Sequence, residues 1–388
     1  MRSAKSVPKN PKQVAPGAPG GGQYWLALER RGREAGLDAV GVARAQVLNR
    51  ARAAIEQRIA DDLVNSMKFT FLRPDRSTNL PALVEGARSV IVGARSYAHG
   101  DPAADGCDDD GPLRARIARY AWSDHYGALK ESLNAVAAML RRDGHRATVF
   151  ADDNSVVDRE VAHLAGIGWY GRNANILIPG KGSMFVLGCV VTTADLPPAG
   201  TVEDGCGTCQ RCVPACPTAA IVGPGVIDAN RCLSWLLQKP GVFDPAHRAA
   251  LGDRIYGCDD CQTVCPPTRR NGWAPVAGDM TTSVMVLEML GLSDAELDRR
   301  CEGWYVDKRD MRWVRRNLLI VLGNRADGRD PEVESVLRAH LSHADPYLRA
   351  HATWAAARLG RSELLFVDDP DPMVQDELAR LPSTRDDS

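Results

Sequence analysis

The sequence predicts a multidomain α+β fold, and three observations carry that reading. Helical and strand-like apolar patterns alternate through the first half, a cysteine-dense stretch follows a Pro/Gly-rich break near residue 196, and the final stretch reads as helices. The expected divisions are 1–22, a flexible tail; 23–195, a mixed α/β or α+β domain; 196–275, a ferredoxin-like cysteine domain; and 276–388, a helical domain. Three folded units fit a prior of roughly 150 residues per domain.

In the tail, Lys5, Lys9 and Lys12 stand among Pro and Gly up to Gly20-Gly21-Gly22, without the apolar segment of a secretory signal. Tyr24 to Glu34 has apolar residues at helical spacing, Asp38 to Val42 reads as a strand, and Ala51 to Leu63 is helical again. Further strands are expected at Ser89 to Val92, Ala147 to Phe150 and Met184 to Thr192, where β-branched and apolar residues cluster. A long amphipathic helix fills Tyr126 to Arg142 and stops at Gly144. Leu196-Pro197-Pro198-Ala199-Gly200 then breaks the pattern. Beyond Val284, Asp330-Pro331, Asp345-Pro346 and Asp371-Pro372 mark helix starts, because Asp caps orphan N–H groups and Pro fits the first turn. Stacked helix pairs follow, either as a small helical cap or as a HEAT-like repeat.

Composition narrows the class. Hydrophobic content of 44% and charged content of 25% fit a globular chain, and a net charge of -1 gives no strong overall field. No window approaches the about 18 apolar residues of a membrane span, and with no secretory signal a cytoplasmic protein is expected. Eleven cysteines in such a chain favour ligation or catalysis over disulfides.

Cys206, Cys209, Cys212 and Cys216-Pro217 form an uninterrupted C-x2-C-x2-C-x3-C-P run. In two-cluster ferredoxins the first three thiolates of this run hold one 4Fe-4S cluster and the fourth serves the other. The chain supplies the remainder: Cys258, Cys261 and Cys265-Pro266 repeat the tail of the pattern, and Cys232 precedes them by 26 residues. The count closes with Cys206, Cys209, Cys212 and Cys265 on one cluster and Cys216, Cys232, Cys258 and Cys261 on the other. A pair of four-cysteine zinc ribbons is the alternative, against which the x3-C-P ending of both runs weighs. Cys189 reads as a small core residue, whereas Cys107 and Cys301 have no partner motif. A ferredoxin needs little more than its cysteines, so the large domain ahead of them implies a second cofactor or a substrate pocket, fed with electrons.

The stretch Ala165-Gly166-Ile167-Gly168-Trp169-Tyr170-Gly171-Arg172-Asn173, then Arg231-Cys232-Leu233-Ser234, then Tyr256 to Pro266, then Ala344-Asp345-Pro346-Tyr347-Leu348-Arg349 occur in one order. In this the chain resembles the cobalamin-dependent epoxyqueuosine reductase family, from residue 23 to about 380. The resemblance implies an α/β-type cobalamin-binding domain, two 4Fe-4S clusters and HEAT-like C-terminal helices. It implies reduction of the epoxide of epoxyqueuosine in the anticodon loop of tRNA to the alkene of queuosine, which consumes two electrons and two protons. It further implies an electron donor such as a flavodoxin or ferredoxin system, and a monomer.

The family's proton donor falls on Asp152, a carboxyl that shielding from water would equip for general-acid work. Asp152 as a helix cap is the competing reading, while Asp158 and Arg159 are expected to pair structurally. The resemblance also places Arg76, Ala118, Ile176, Leu187, Ser234 and Asp259 at the cobalamin, with no histidine ligand from the protein. Lys308 to Arg316 is the basic stretch expected to meet tRNA phosphates, a solvated helix face being the alternative. Two other functions stay open: a related cobalamin-dependent reductase of a small molecule or another nucleoside, and a non-catalytic 4Fe-4S electron carrier. Arg30-Arg31 lies inside an expected helix with no apolar core after it, unlike a twin-arginine export signal.

Overall fold

The computed structural model of the chain describes residues 21–100 and 111–381; Lys5, Lys9, Lys12 and Cys107 lie outside the described residues. The first helix, Gly21–Glu34, begins inside the stretch read as tail. Strands Ala39–Arg44, Ser89–Ser96, Phe185–Thr192 and Ala147–Ala151 form one sheet in that spatial order. Every neighbouring pair is antiparallel, which decides for α+β in this half.

Alternating side chains give the sheet two apolar faces. On one, Val42, Ile91, Val186 and Val190 pack with Leu28 of the first helix and with Leu129, Leu133 and Leu140 of His125–Arg142. On the other, Val90, Val92, Cys189 and Val191 pack with Ala51 of Asn49–Ala60 and Val161 of Asp158–Leu164. Phe185–Thr192 is consequently buried along its whole length, and Cys189 is a core residue as expected. The helix His125–Arg142 starts at Asp124, whose carboxylate accepts the Gly127 N–H at 2.7 Å, and ends just before Gly144, where φ is +87°.

The three Asp-Pro signals each open a helix: Pro331–Leu341, Pro346–Arg358 and Pro372–Arg380 are capped by the side chains of Asp330, Asp345 and Asp371. Each cap contributes about 1 kcal/mol. Asp244-Pro245 opens Pro245–Leu251 in the same way, although the sequence reading passed over it. Helix Pro346–Arg358 packs against Arg312–Arg325, Pro331–Leu341 and Pro372–Arg380.

A second sheet joins the stretches. Its middle strand, Arg114–Ile117, pairs in parallel with Arg254–Tyr256 and antiparallel with Ser283–Met285. One hydrophobic cluster follows the same route, holding Ile117 and Trp122, Leu233 and Phe243, and Leu318 and Leu322. Within it the fully buried Arg248 donates to both carboxylate oxygens of Glu377, at 2.7 and 3.0 Å. Removing either partner would strand the other charge, at a cost of about 3–5 kcal/mol.

Candidate functional site

The seven cysteines of the two runs and Cys232 act electrostatically on one another, while among the described residues no group of three or more Cys, His, Asp or Glu is placed to hold a single metal ion. Burial pushes the Cys265 thiol up, and the neighbouring Cys206 and Cys212 push it further. Cys212 is raised by its own burial and by Cys206 and Cys209. Cys261 is raised by burial and then by Cys258, Cys232 and Cys216, with Cys212 the smallest contributor. Cys265 and Cys206 also share one apolar cluster with Trp169, Leu177 and Val202. Thiols raised by burial and further by neighbouring thiols suit a cationic iron centre, which reverses that effect. Two N–H groups already aim at sulfur: Ala220 donates to Cys216 Sγ at 3.2 Å and the Trp169 indole to Cys206 Sγ at 3.5 Å.

Both runs use proline to begin a local turn or helix, and Cys265 immediately precedes Pro266–Asn271. Cys232 likewise precedes the short helix Leu233–Leu236, which carries Ser234. The Gly-rich stretch 165–173 braces these loops. Besides the Trp169 contact, Arg172 donates to the Gly207 carbonyl at 2.9 Å and the Asn173 amide to the Cys261 carbonyl at 3.4 Å. Gly168 is required by close approach, since a Cβ there would lie 2.1 Å from the Leu177 carbonyl oxygen.

Between Cys258 and Cys261 sits Asp259, buried and joined to an arginine the sequence reading missed. Arg119 is 3% exposed and donates from its Nη1 to Asp259 Oδ2 at 3.0 Å, while its backbone N–H reaches the same oxygen at 3.1 Å. Arg119 also donates to the His99 carbonyl and stacks over Trp122 and Trp273. Next to Cys261, Gln262 donates to the Ser183 carbonyl at 2.7 Å and exchanges hydrogen bonds with the buried Tyr97 hydroxyl. The second cysteine run is thereby bolted to the four-stranded half. Nothing in a lone Arg and Asp 140 residues apart announces such a pair.

Asp152 directly follows the edge strand Ala147–Ala151, in a left-handed conformation at φ +53°. That region is uncommon outside Gly but tolerated by Asp. Asp152 is exposed, so the expected shielding from water is not provided by the protein around it. Its capping alternative also fails: Asp153, not Asp152, closes the turn by accepting the Ser155 N–H at 2.7 Å, and helix Asp158–Leu164 starts at Val157 without a side-chain cap. The expected Asp158–Arg159 pairing is incomplete, because Asp158 Oδ1 is buried with no hydrogen-bond partner. Burial pushes the Asp158 carboxyl up to about 8, Arg159 opposes this, and Asp152 and Asp153 add to it.

The remaining candidates divide. Ala118, buried, begins the turn that carries Arg119, and its N–H donates to the Tyr256 carbonyl at 2.9 Å. Ser234 lies within hydrogen-bonding reach of the half-buried Tyr120 hydroxyl, so Ala118, Ser234 and Asp259 converge on the Arg119–Tyr120 turn. Ile176 and Leu187, 4% and 9% exposed, belong to the apolar cluster on one face of the main sheet. Arg76 is exposed on the short helix Pro74–Ser77.

The basic stretch is divided: Lys308 and Arg309 are exposed, whereas Arg315 and Arg316 are buried. Arg309 is held by Asp298 and by the Cys301 and Trp304 carbonyls, Arg312 by Asp310 and Asp345, and Arg315 by Asp294 and two carbonyls. Arg316 is 1% exposed and donates to the carbonyls of Leu236, Leu237, Lys239 and Gly241. The shared helix face turns inward, where acids and helix-end carbonyls remote in sequence neutralise it.

Comparison with known proteins assigns the whole. The model of the 4Fe-4S double cluster binding domain matches residues 205–268, which contain the seven cysteines of the two runs and Cys232. The model described as Epoxyqueuosine reductase QueG, DUF1730 matches residues 78–153. The epoxyqueuosine reductase of Xanthomonas campestris pv. campestris is 31% identical over 341 residues, covering 84% of this chain and 94% of that one. The chain belongs to the epoxyqueuosine reductase family. The Gloeobacter violaceus member of the family is 33% identical over 77% of this chain and 96% of its own length. Among solved structures, an epoxyqueuosine reductase with an epoxyqueuosine-modified tRNA-Tyr stem loop superposes with a TM-score of 0.82 at 25% identity, covering 92% of this chain and 97% of that one. The Streptococcus thermophilus epoxyqueuosine reductase gives 0.78 at 25% identity over 93% and 95%. Among the described residues no helix is long and apolar enough to cross a membrane.

Proposed function

We propose that this chain is an oxidoreductase that reduces epoxyqueuosine to queuosine in tRNA, with Asp152 as proton donor. The observation that carries the reading is the fastening of the second cysteine run by the Arg119–Asp259 pair, with Gln262 of that run bonded to Tyr97 and Ser183 of the Asp152-bearing half. Near-complete coverage of the family relatives supports it, as does the likeness to the reductase solved with its tRNA stem loop.

Cys206, Cys209, Cys212 and Cys265 would hold one 4Fe-4S cluster and Cys216, Cys232, Cys258 and Cys261 the other. Ala118, Ser234 and Asp259, converging on one turn, fit contacts to cobalamin; Ile176, Leu187 and Arg76 follow from the family alone. Bound clusters supply single electrons and cobalamin a strongly reducing centre. The protein's own part is positional and protic. Arg119 and Gln262 fix the second cysteine run against the sheet, Trp169 covers Cys206, and the exposed Asp152 is free to meet the epoxide oxygen. Opening the epoxide to the alkene releases one oxygen as water, for which two electrons and two protons are consumed. The reading further includes a cytoplasmic monomer with HEAT-like C-terminal helices, fed by a flavodoxin or ferredoxin system.

The test is conversion of epoxyqueuosine to queuosine in tRNA by protein loaded with iron, sulfide and cobalamin under a strong reductant. Queuosine should accumulate, and its absence with both cofactors demonstrably bound would remove the substrate assignment. Finding zinc in place of iron would remove the redox reading as well.

A further inference from the structure

The reaction needs two protons, and Asp152 carries one carboxyl. Its immediate surroundings hold a second carboxyl that the proposed chemistry has not used. Asp158 opens the helix Asp158–Leu164 that follows the Asp152 loop. The residue is partly buried, but Oδ1 is closed off from solvent and has no hydrogen-bond partner. Enclosing an unpaired carboxylate is unfavourable, and the group responds by keeping its proton. The contrast with Glu160, two residues on, is instructive. Glu160 is 3% exposed, yet Arg50 donates to it at 3.1 Å and the Tyr170 hydroxyl at 3.2 Å. The Glu160 carboxylate is partnered, whereas the enclosed Oδ1 of Asp158 is not.

The charged and titratable groups that act on Asp158 come from four elements. Asp152 and Asp153 of the loop and Arg159 of its own helix act on its charge, and Asp158 in turn raises Tyr126 of helix His125–Arg142 and Cys189 of strand Phe185–Thr192. Burial raises both Tyr126 and Cys189, so neither is charged near neutral pH. Arg159 alone opposes protonation, and burial outweighs it.

We propose that Asp158 stores the second proton of the reduction and returns it to Asp152 between the two proton deliveries. Asp152 gives its proton to the departing oxygen and becomes a carboxylate. Asp158 then passes its O–H proton to that carboxylate, directly or along an intervening water, becomes the carboxylate itself, and is reprotonated from solvent after turnover. No electron moves in this step, and the proton count closes at two. Asp158 acts through Asp152 and is a positioning residue for the proton. The role rests on the reading of the chain as an epoxide reductase; the protonation of Asp158 does not.

Infrared titration of 13C-aspartate-labelled protein tests the protonation without any turnover. A label-sensitive protonated-carboxyl band should be present at pH 7, fade with a midpoint near the expected value of about 8, and be missing from Asp158→Asn. Cobalamin absorbance and iron content should be retained by that variant, multiple-turnover rate should fall about a hundredfold, and the alkaline limb of the pH profile should disappear. Wild-type protein without a protonated aspartate at pH 7 overturns the proposal even where the variant misfolds. So does an Asp158→Asn enzyme with the wild-type pH profile. A band that behaves as expected in a protein inactive on epoxyqueuosine overturns the substrate reading instead, and removes the relay role with it.

Discussion

The cysteine loops and the Asp152 loop lie in one molecule but are built on opposite plans. Around the cysteines, buried side chains from distant segments fasten each turn: Arg119 and Tyr97 on Asp259 and Gln262, Trp169 on Cys206, Asn173 on the Cys261 carbonyl. Asp152 has an exposed side chain on a left-handed backbone, beside an acid whose Oδ1 lacks a partner. Electron-carrying groups gain from being held still, because their potentials depend on hydrogen bonds and exposure. A proton donor that must meet a large substrate gains from being reachable. Under the proposed function, rigidity is concentrated on the electron side and access on the proton side.

The sharpest way to break this contrast is at a thiol. Cys258→Ser should abolish turnover and remove about half of the bound iron, read by iron analysis and absorbance. Retention of full iron would mean that the second group is not a cluster site. On the other side, Asp152→Asn should lower the rate by about 10²–10⁴-fold while iron and the melting temperature stay put. Stability and activity separate there because the side chain is exposed.

Arg119→Met tests the fastening itself. It strands the buried Asp259 and should cost about 3–5 kcal/mol in denaturant unfolding, with early loss of iron. The pH dependence of stability probes the proton side. Asp158 has its folded value raised from 3.8 to about 8, so the folded chain holds a proton that the unfolded chain has released in between. Stability is therefore lost as pH rises from about 4 to 8. Asp158→Asn should be the more stable protein at pH 8, with the advantage shrinking toward pH 4; a constant difference would contradict the burial. The smallest effect belongs to Arg312→Ala. Its pairs with Asp310 and Asp345 are half-exposed, so the loss should be about 0.5–1 kcal/mol, and the salt dependence of tRNA binding should be unchanged.

Local rules were legible wherever the cause was local. Asp330, Asp345 and Asp371 cap the helices that their Asp-Pro pairs announced, and the cysteine spacing pointed to the stretch that the 4Fe-4S double cluster binding domain matches. What escaped is tertiary. Arg312, Arg315 and Arg316 looked like a basic face because most of the groups that absorb them, Asp345, Asp294 and the carbonyls of Leu236 to Gly241, are remote in the chain. Asp158 and Arg159 looked like an ion pair because adjacency says nothing of which side chain is enclosed. The strand Arg114–Ile117 was missed because four residues are too few to display alternation.

That short strand also governs how the polypeptide can be dissected. It lies between Arg254–Tyr256 and Ser283–Met285 and is their shared hydrogen-bonding partner. A fragment cut out to carry only the ferrous part would lose its own parallel neighbour, and a C-terminal fragment would expose the apolar side of its helices. Each piece would present a raw β edge prone to association. Shortened or chimeric versions therefore have to keep all three strands on one chain, or restore the middle one as a separate peptide.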